Sequence, residues 1–200
     1  MEILVSALLF ALVSTVTPGP NNIMVMTSGL NYGVYRTLPH FFGICLGFPT
    51  MVVAVGVGLG ALFEEVPLLH TIIKIVGITY LLYLAYKIAM TRSGPSDTGS
   101  SRPLTFIQAA LFQWVNPKAW VMAVGAMAAF TTVNGEVLSQ SLWISSAFLL
   151  VSFPCVGLWL VGGAAMRNWL SQPRQLRLFN ITMASLLALS VLPMVSAKFV

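Results

Sequence analysis

From Ile3 to Tyr35 no residue of this chain carries a formal charge, and the pattern recurs toward the C-terminus, with acids and bases pushed to the ends of long apolar runs. Such runs leave few folds open. A hydrocarbon core is crossed by a helix of about 20 mainly apolar residues, and six runs reach that length, near 3–26, 38–63, 70–90, 104–131, 142–166 and 178–197. Of the 200 residues, 58% are hydrophobic and 8% charged, where a soluble domain has about 25% charged residues. Runs this long and numerous cannot all hide one another behind a polar shell. The chain reads as an all-α integral membrane protein with six transmembrane helices. That composition excludes a soluble enzyme, and no nucleophile, base and orienter stand together in the pattern.

Between the runs lie short connectors with turn chemistry: SGLNYG, EEVP, TRSGPSDTGSSRP, TTVNGE and NWLSQPRQ. The net charge of +5 does not point to nucleic acid, because the basic residues are scattered at run ends rather than gathered into a patch. They sort by side instead. Connectors one, three and five hold Arg36, Lys87, Arg92, Arg102, Arg167, Arg174 and Arg177, while the other side holds Lys74 and Lys198 with Glu2, Glu64, Glu65 and Glu136. Positive residues favour the cytoplasmic face, so both termini are expected outside. Glu2, the missing basic leader and the continuation of the first run argue against a cleaved signal peptide.

The second half repeats the punctuation of the first at an offset of about 100 residues. TPGPNN at 17–22 is answered by VNPKAW at 115–120, GFPTMVVAVGVG at 47–58 by SFPCVGLWLVGG at 152–163, and GITYLLYLA at 77–85 by NITMASLLA at 180–188. Each half, 1–98 and 99–200, then has three crossings, and an odd number sets the halves in opposite orientations. Two inverted three-helix repeats are the architecture in which many secondary transporters build a midplane site from broken helices.

Both broken helices are visible. Unpaired backbone in hydrocarbon costs several kcal/mol per group, so an interruption at depth must face protein or a wet cavity. Pro20 has no N–H and the ring of Pro18 obstructs the turn before it, freeing carbonyls of the preceding half-helix. Gly19 permits a sharp path and close approach, and Asn21 or Asn22 is expected to cap the half-helix that resumes or to place an amide in the cavity. A resumed half-helix offers free N–H groups and the positive end of its dipole to a carboxylate. Asn116, Pro117 and Lys118 do the same in the second half and add a cation. About 14 residues into its run at about 1.5 Å each, Lys118 is expected ~20 Å deep, too deep to snorkel. Two roles are open to it: contact with an anionic substrate group, or pairing with carbonyls freed at a break. Gln113 and Trp114, one turn earlier, are expected to line the site, with polar contact between helices the plainer reading of Gln113.

Other features have plainer readings beside sharper ones. Pro49 and Pro154 read as kinks around the cavity. Tyr80, Tyr83 and Tyr86 form a stripe that either packs on a neighbour or lines a pathway. GICLG and GVGLG place small residues one turn apart for close helix contact. His40 and His70 lie near run ends, where an interfacial role is the plain expectation, and with no acid inside any run His40 is the best candidate for a proton-linked role. Cys45 and Cys155 read as small buried side chains; the alternative, a membrane thiol-redox conduit, lacks the electropositive setting that activates a thiol. Cation or heavy-metal efflux would need grouped carboxylates or thiols, which the runs do not offer.

On TPGPNN, the following GLNYGVYRTLPHFFGICLG, GITYLLYLAYKI and FQWVNPKAWVM, the chain resembles the lysine-exporter superfamily, in its branch of homoserine/threonine and cysteine/O-acetylserine exporters. The likeness covers nearly the whole chain. It implies a multi-pass carrier of the bacterial cytoplasmic membrane that exports amino acids or close derivatives in exchange for protons. The partners implied are the bilayer, a small amino acid and protons, with a homo-oligomer left open and no cofactor or metal called for. The family's motifs mark Pro18, Gly19, Pro20, Asn21, Asn22, Asn116, Pro117 and Lys118 as substrate-site residues. Thr37 departs from the glycine common four residues after the equivalent of Gly33. The absence of an embedded acid makes a neutral substrate the better expectation than a cationic one.

Overall fold

A computed structural model describes residues 2–59, 67–91, 102–132, 135–170 and 172–192. The EEVP connector, most of TRSGPSDTGSSRP and Lys198 lie outside them, as does the side chain of His70. Every regular element among the described residues is helical. The helices are α1 (Glu2–Val16), α2 (Pro20–Tyr32), α3 (Val34–Ala54), α4 (Pro67–Met90), α5 (Phe106–Phe112), α6 (Pro117–Phe130), α7 (Val137–Trp169) and α8 (Pro173–Leu189). A π turn, Val55–Leu59, extends α3, and a 3-10 turn, Gln113–Val115, extends α5.

The first and fourth apolar runs are therefore each two pieces, interrupted where the prolines fall. Two helical stretches among the described residues, Pro20–Gly58 and Val137–Arg167, are long and apolar enough to cross a membrane unaided. The pieces α1 and α6, and α5 with its 3-10 turn, are apolar but shorter. The first connector differs from expectation: α2 runs on through SGLNY, and the chain turns at a single residue, Gly33, before α3 begins. Gly33 has φ 79°, a conformation that costs an L side chain energy and a glycine almost none. Thr37, the departure from the family pattern, supports that turn by donating its hydroxyl to the Gly33 carbonyl at 2.8 Å.

Small residues set the closest crossings. A Cβ on Gly163 of α7 would collide with the Met26 backbone of α2, and one on Gly29 of α2 with the Leu160 carbonyl of α7. GICLG works likewise: Gly43 lies against Phe106 and Gly47 against Ala110, both on α5. The pieces of the first run pack on α7 and those of the fourth on α3, while α3 packs on α7 and α4 on α8. Three apolar clusters fill the spaces between them, centred on Phe48 and Phe148, on Leu81 and Phe112, and on Ile44 and Leu160.

The outer faces remain apolar. Ile3, Leu9 and Val13 of α1, Ile75 of α4 and Leu150 and Leu158 of α7 are exposed, a surface suited to lipid rather than water. Tyr83 and Tyr86 stand on that outer surface, with Tyr80 packed on Phe112 at a ring separation of 5.9 Å. The tyrosine stripe thus turns outward and lines no interior path. Tyr35 and Trp169, at helix ends, are the most exposed of the large side chains, as interfacial anchors are.

Candidate functional site

The break between α1 and α2, with Thr17 and Pro18 exposed and Gly19 and Pro20 buried, leaves a helix end whose last carbonyls have no intrahelical partner. Every carbonyl from Ser14 to Gly19 nevertheless accepts a hydrogen bond. Thr17 donates its hydroxyl to Ser14 O at 2.9 Å. Asn22 Nδ2 donates to Thr15 O and Thr17 O, each at 2.8 Å. Trp159 Nε1, from α7, donates to Val16 O at 3.0 Å. Lys118 Nζ, from α6, reaches Thr17 O and Thr17 Oγ1 at 2.8 Å and Pro18 O at 3.3 Å. Gly19 O accepts from Ile23 N, inside α2.

Asn21 or Asn22 is expected either to cap α2 or to place an amide in the cavity; Asn22 does not cap, and its amide satisfies the end of α1 beside the cavity. Asn21 does not cap either, since no side chain caps α2. Its amide exchanges two hydrogen bonds with Gln113, Asn21 Nδ2 to Gln113 Oε1 at 2.8 Å and Gln113 Nε2 to Asn21 Oδ1 at 3.2 Å. The physical reason is position: α2 begins at Pro20 with Gly19 at its N-cap, so both asparagines lie inside the first turn, past the cap, and their amides are free to satisfy the orphan carbonyls of α1 and the Gln113 amide. Gln113 is fully buried and also donates to Ala109 O at 2.8 Å, so one side chain ties the two breaks together.

The second break is satisfied locally. Asn116 caps α6 by accepting from Lys118 N at 3.2 Å, with Pro117 at the first helical position, where a missing N–H costs nothing. Trp120 Nε1 donates to Trp114 O at 2.9 Å. Trp114 packs against the cluster around Phe148 and is absent from the lining of the cavity.

Between the breaks is a cavity of about 30 Å3, room for about two water molecules. Of the sequence-marked residues, Gly19, Asn21, Asn22, Asn116 and Lys118 line it, while Pro18, Pro20, Gln113 and Pro117 shape the backbone and contacts around it. Not marked by the sequence, Ser14, Thr15 and Ser152 add polar groups to the wall, and the rest of it is apolar, Ile44, Phe48, Ala119, Met122 and Val156. Thr15 and Ser14 precede TPGP, and Ser152 opens the repeated SFP, so polar residues beside a break were the available signal. Thr15 Oγ1 is buried with no hydrogen-bond partner, and a buried unpaired hydroxyl costs about 1 to 3 kcal/mol.

Gly19 is extended, φ −175°, a conformation open to any residue, so its backbone angle does not require glycine. Lys118 does. A Cβ at Gly19 would lie 2.7 Å from Lys118 Cδ and 3.1 Å from Nζ, so the lysine stem runs over the bare backbone.

Other polar residues fall elsewhere. His40, on α3, is buried, its Nδ1 3.2 Å from Ser28 Oγ of α2 and its Nε2 without a partner among the described residues. Asn31 and Asn180 form a second reciprocal amide pair at 3.0 and 3.2 Å, with Asn180 also donating to Thr91 O at 3.1 Å. That pair joins the ends of α2 and α4 to the middle of α8, and the sequence reading misses it although both asparagines fall in or beside apolar runs. Pro49 and Pro154 lie inside α3 and α7, and Pro49 O accepts from Ser145 at 2.8 Å. Cys45 and Cys155 are free and buried in apolar clusters. No metal-ligand group occurs among the described residues.

The family profile described as LysE type translocator matches residues 12–195. A cysteine/O-acetylserine efflux protein of Escherichia coli K12 is 28% identical over 180 residues, covering 89% of this chain and 90% of its own length. The protein of the same description from Shigella flexneri serotype 5b is 29% identical over the same shares. No solved structure matches the chain. With a translocator profile spanning almost its whole length, and with apolar helices broken twice around an interior cavity, this chain belongs to the LysE-type translocator family.

Proposed function

We propose that the chain is a secondary exporter of small neutral amino acids or derivatives, of the threonine, homoserine, cysteine and O-acetylserine class, working by proton antiport across the bacterial cytoplasmic membrane. One observation carries the reading: two broken helices meet around a small cavity that Asn21, Asn22, Asn116 and Lys118 reach within a largely apolar wall, with Asn21 bonded to Gln113 across them. Irregular backbone at membrane depth persists where it lines such a space, and broken-helix carriers use it to hold substrate.

The carboxylate of the substrate sits at the start of α2, where the N–H groups of Asn21 and Asn22 meet no capping side chain and the helix dipole favours an anion. The unpaired Thr15 hydroxyl adds a donor. No acid lines the cavity, which favours a neutral side chain over a cationic one. The names of the efflux relatives agree with that class.

Six crossings in two inverted repeats, 1–98 and 99–200, with both termini outside, complete the proposal. The packing supports it, since exchanging the halves maps first-run pieces on α7 onto fourth-run pieces on α3, and maps α3 with α7 and α4 with α8 onto themselves. A cavity of about 30 Å3 is too small for an amino acid, so binding one requires the cavity to widen.

The test is uptake of labelled amino acids into everted membrane vesicles with and without an inside-acid pH gradient. The expected result is gradient-driven accumulation of small neutral amino acids. Accumulation of none of them would overturn the reading, and accumulation indifferent to the gradient would remove the antiport.

A further inference from the structure

The exporter reading leaves unexplained what the Lys118 ammonium is doing on the first break. Its three N–H donors end on three oxygens, Thr17 O, Thr17 Oγ1 and Pro18 O, all of them neutral. From the elements around it, Ser14 and Thr15 of α1, Asn21 and Asn22 of α2, Phe48 of α3 and Ser152 of α7 face the same cavity, and none is charged or titrates near neutrality. His40, on α3, is turned to Ser28 instead. Among the described residues the cation therefore has no counter-ion.

Neutral oxygens at the negative end of a half-helix are the acceptors that the α-ammonium of an amino acid needs. The seat for its carboxylate, at the start of α2, follows immediately in the chain. An α-amino acid carries both charges on neighbouring groups, so the two seats suit one molecule, yet Lys118 already fills the first. Gly19 makes this possible, for a side chain there would push the lysine stem away.

We infer that protonated Lys118 occupies the seat of the substrate's own α-ammonium, so that one proton on Nζ and one bound amino acid exclude each other. The inference rests on the exporter reading and deepens it. For an amino acid to enter, Nζ gives its proton to water on the cytoplasmic side, the uncharged amine leaves Thr17 and Pro18, and the substrate's ammonium takes their oxygens. After the amino acid departs outward, Nζ takes a proton from water on that side and returns. One proton moves in for each zwitterion moved out, and no other ion is required. Lys118, rather than His40, carries the coupling proton.

The experiment measures protons released when the purified full chain, in weakly buffered detergent near neutral pH, binds O-acetyl-L-serine, with binding itself read by calorimetry. Substrate counterflow in vesicles, which needs no gradient, is measured alongside. Wild type is expected to release about one proton per amino acid bound, as linkage between exclusive ligands requires. Lys118→Gln, whose amide can still donate to the Thr17 and Pro18 oxygens, is expected to bind and to exchange substrate while releasing none and losing gradient-driven accumulation. Lys118→Ala is expected to do the same. Wild-type binding without proton release would overturn the inference. So would undiminished release in Lys118→Gln, loss of release in His40→Asn alone, or loss of binding in both Lys118 variants. If wild type neither binds nor exchanges any small neutral amino acid, the exporter reading itself falls, a result distinct from all of these.

Discussion

The two breaks look alike in sequence and differ in how they are held. At the second, the chain satisfies itself: a 3-10 turn, Asn116 capping its own helix and Trp120 bonding the carbonyl six residues back all lie within a few residues. At the first, the carbonyls depend on side chains from three other helices, Asn22 of α2, Trp159 of α7 and Lys118 of α6. Local hydrogen bonds form with the helix they belong to, whereas bonds between helices exist only in the conformation that brings those helices together. In the proposed transport cycle the second break, tied to the first only through Gln113 and Asn21, is the anchor, and the first is the one whose partners are exchanged.

That difference can be broken by substitution. The largest functional effect is expected for Gly19→Val. Its side chain fits the extended backbone but displaces Lys118, whose charge-assisted hydrogen bonds are each worth about 1.5 to 3 kcal/mol. Gradient-driven uptake in vesicles should fall by about tenfold or more, with the protein still folded by gel filtration. Asn22→Leu comes next. It strips Thr15 O of its donor and Thr17 O of one of two, and should cost about 2 kcal/mol, seen as a lower melting temperature of the solubilised protein.

Trp159→Phe keeps the ring but leaves Val16 O unpaired, at about 1 to 2 kcal/mol in the same assay. Asn116→Ala removes only a local cap and should cost about 1 kcal/mol. Its transport should stay closer to wild type than that of any first-break variant. An Asn116→Ala protein that loses transport while Asn22→Leu keeps it would reverse the assignment of anchor and exchangeable site.

What the sequence makes legible follows the same division. Prolines at 18, 20 and 117 report breaks because a missing N–H is a local fact, and small residues at Gly43 and Gly47 report close packing for a similar reason. The direction of a polar side chain is not local. Asn22 has the residue type of an N-cap, but α2 begins at Pro20, which puts Asn22 inside the first turn, and it serves the carbonyls of Thr15 and Thr17 in the helix before it. Trp159 lies 143 residues from its acceptor, and nothing in its neighbourhood marks it. Lys118 was legible as a deep cation, with both of its roles open; only the fold brings it onto Thr17 and Pro18. Asn31 and Asn180 were legible in principle, as amides in or beside apolar runs, and pass unnoticed when only charges are sought in such runs. The single-residue turn at Gly33 was hidden because SGLNYG carries turn composition throughout, though most of it continues the helix.

The account stands on an interior space, bounded by both breaks, that an amino acid enters. Its most direct measurement places a thiol in that wall, Ser152→Cys, in a chain whose Cys45 and Cys155 are replaced by alanine, and follows maleimide labelling in membranes with and without O-acetyl-L-serine. The predicted result is labelling that the amino acid slows. A thiol that never reacts, or that reacts at the same rate whatever amino acid is present, would contradict it.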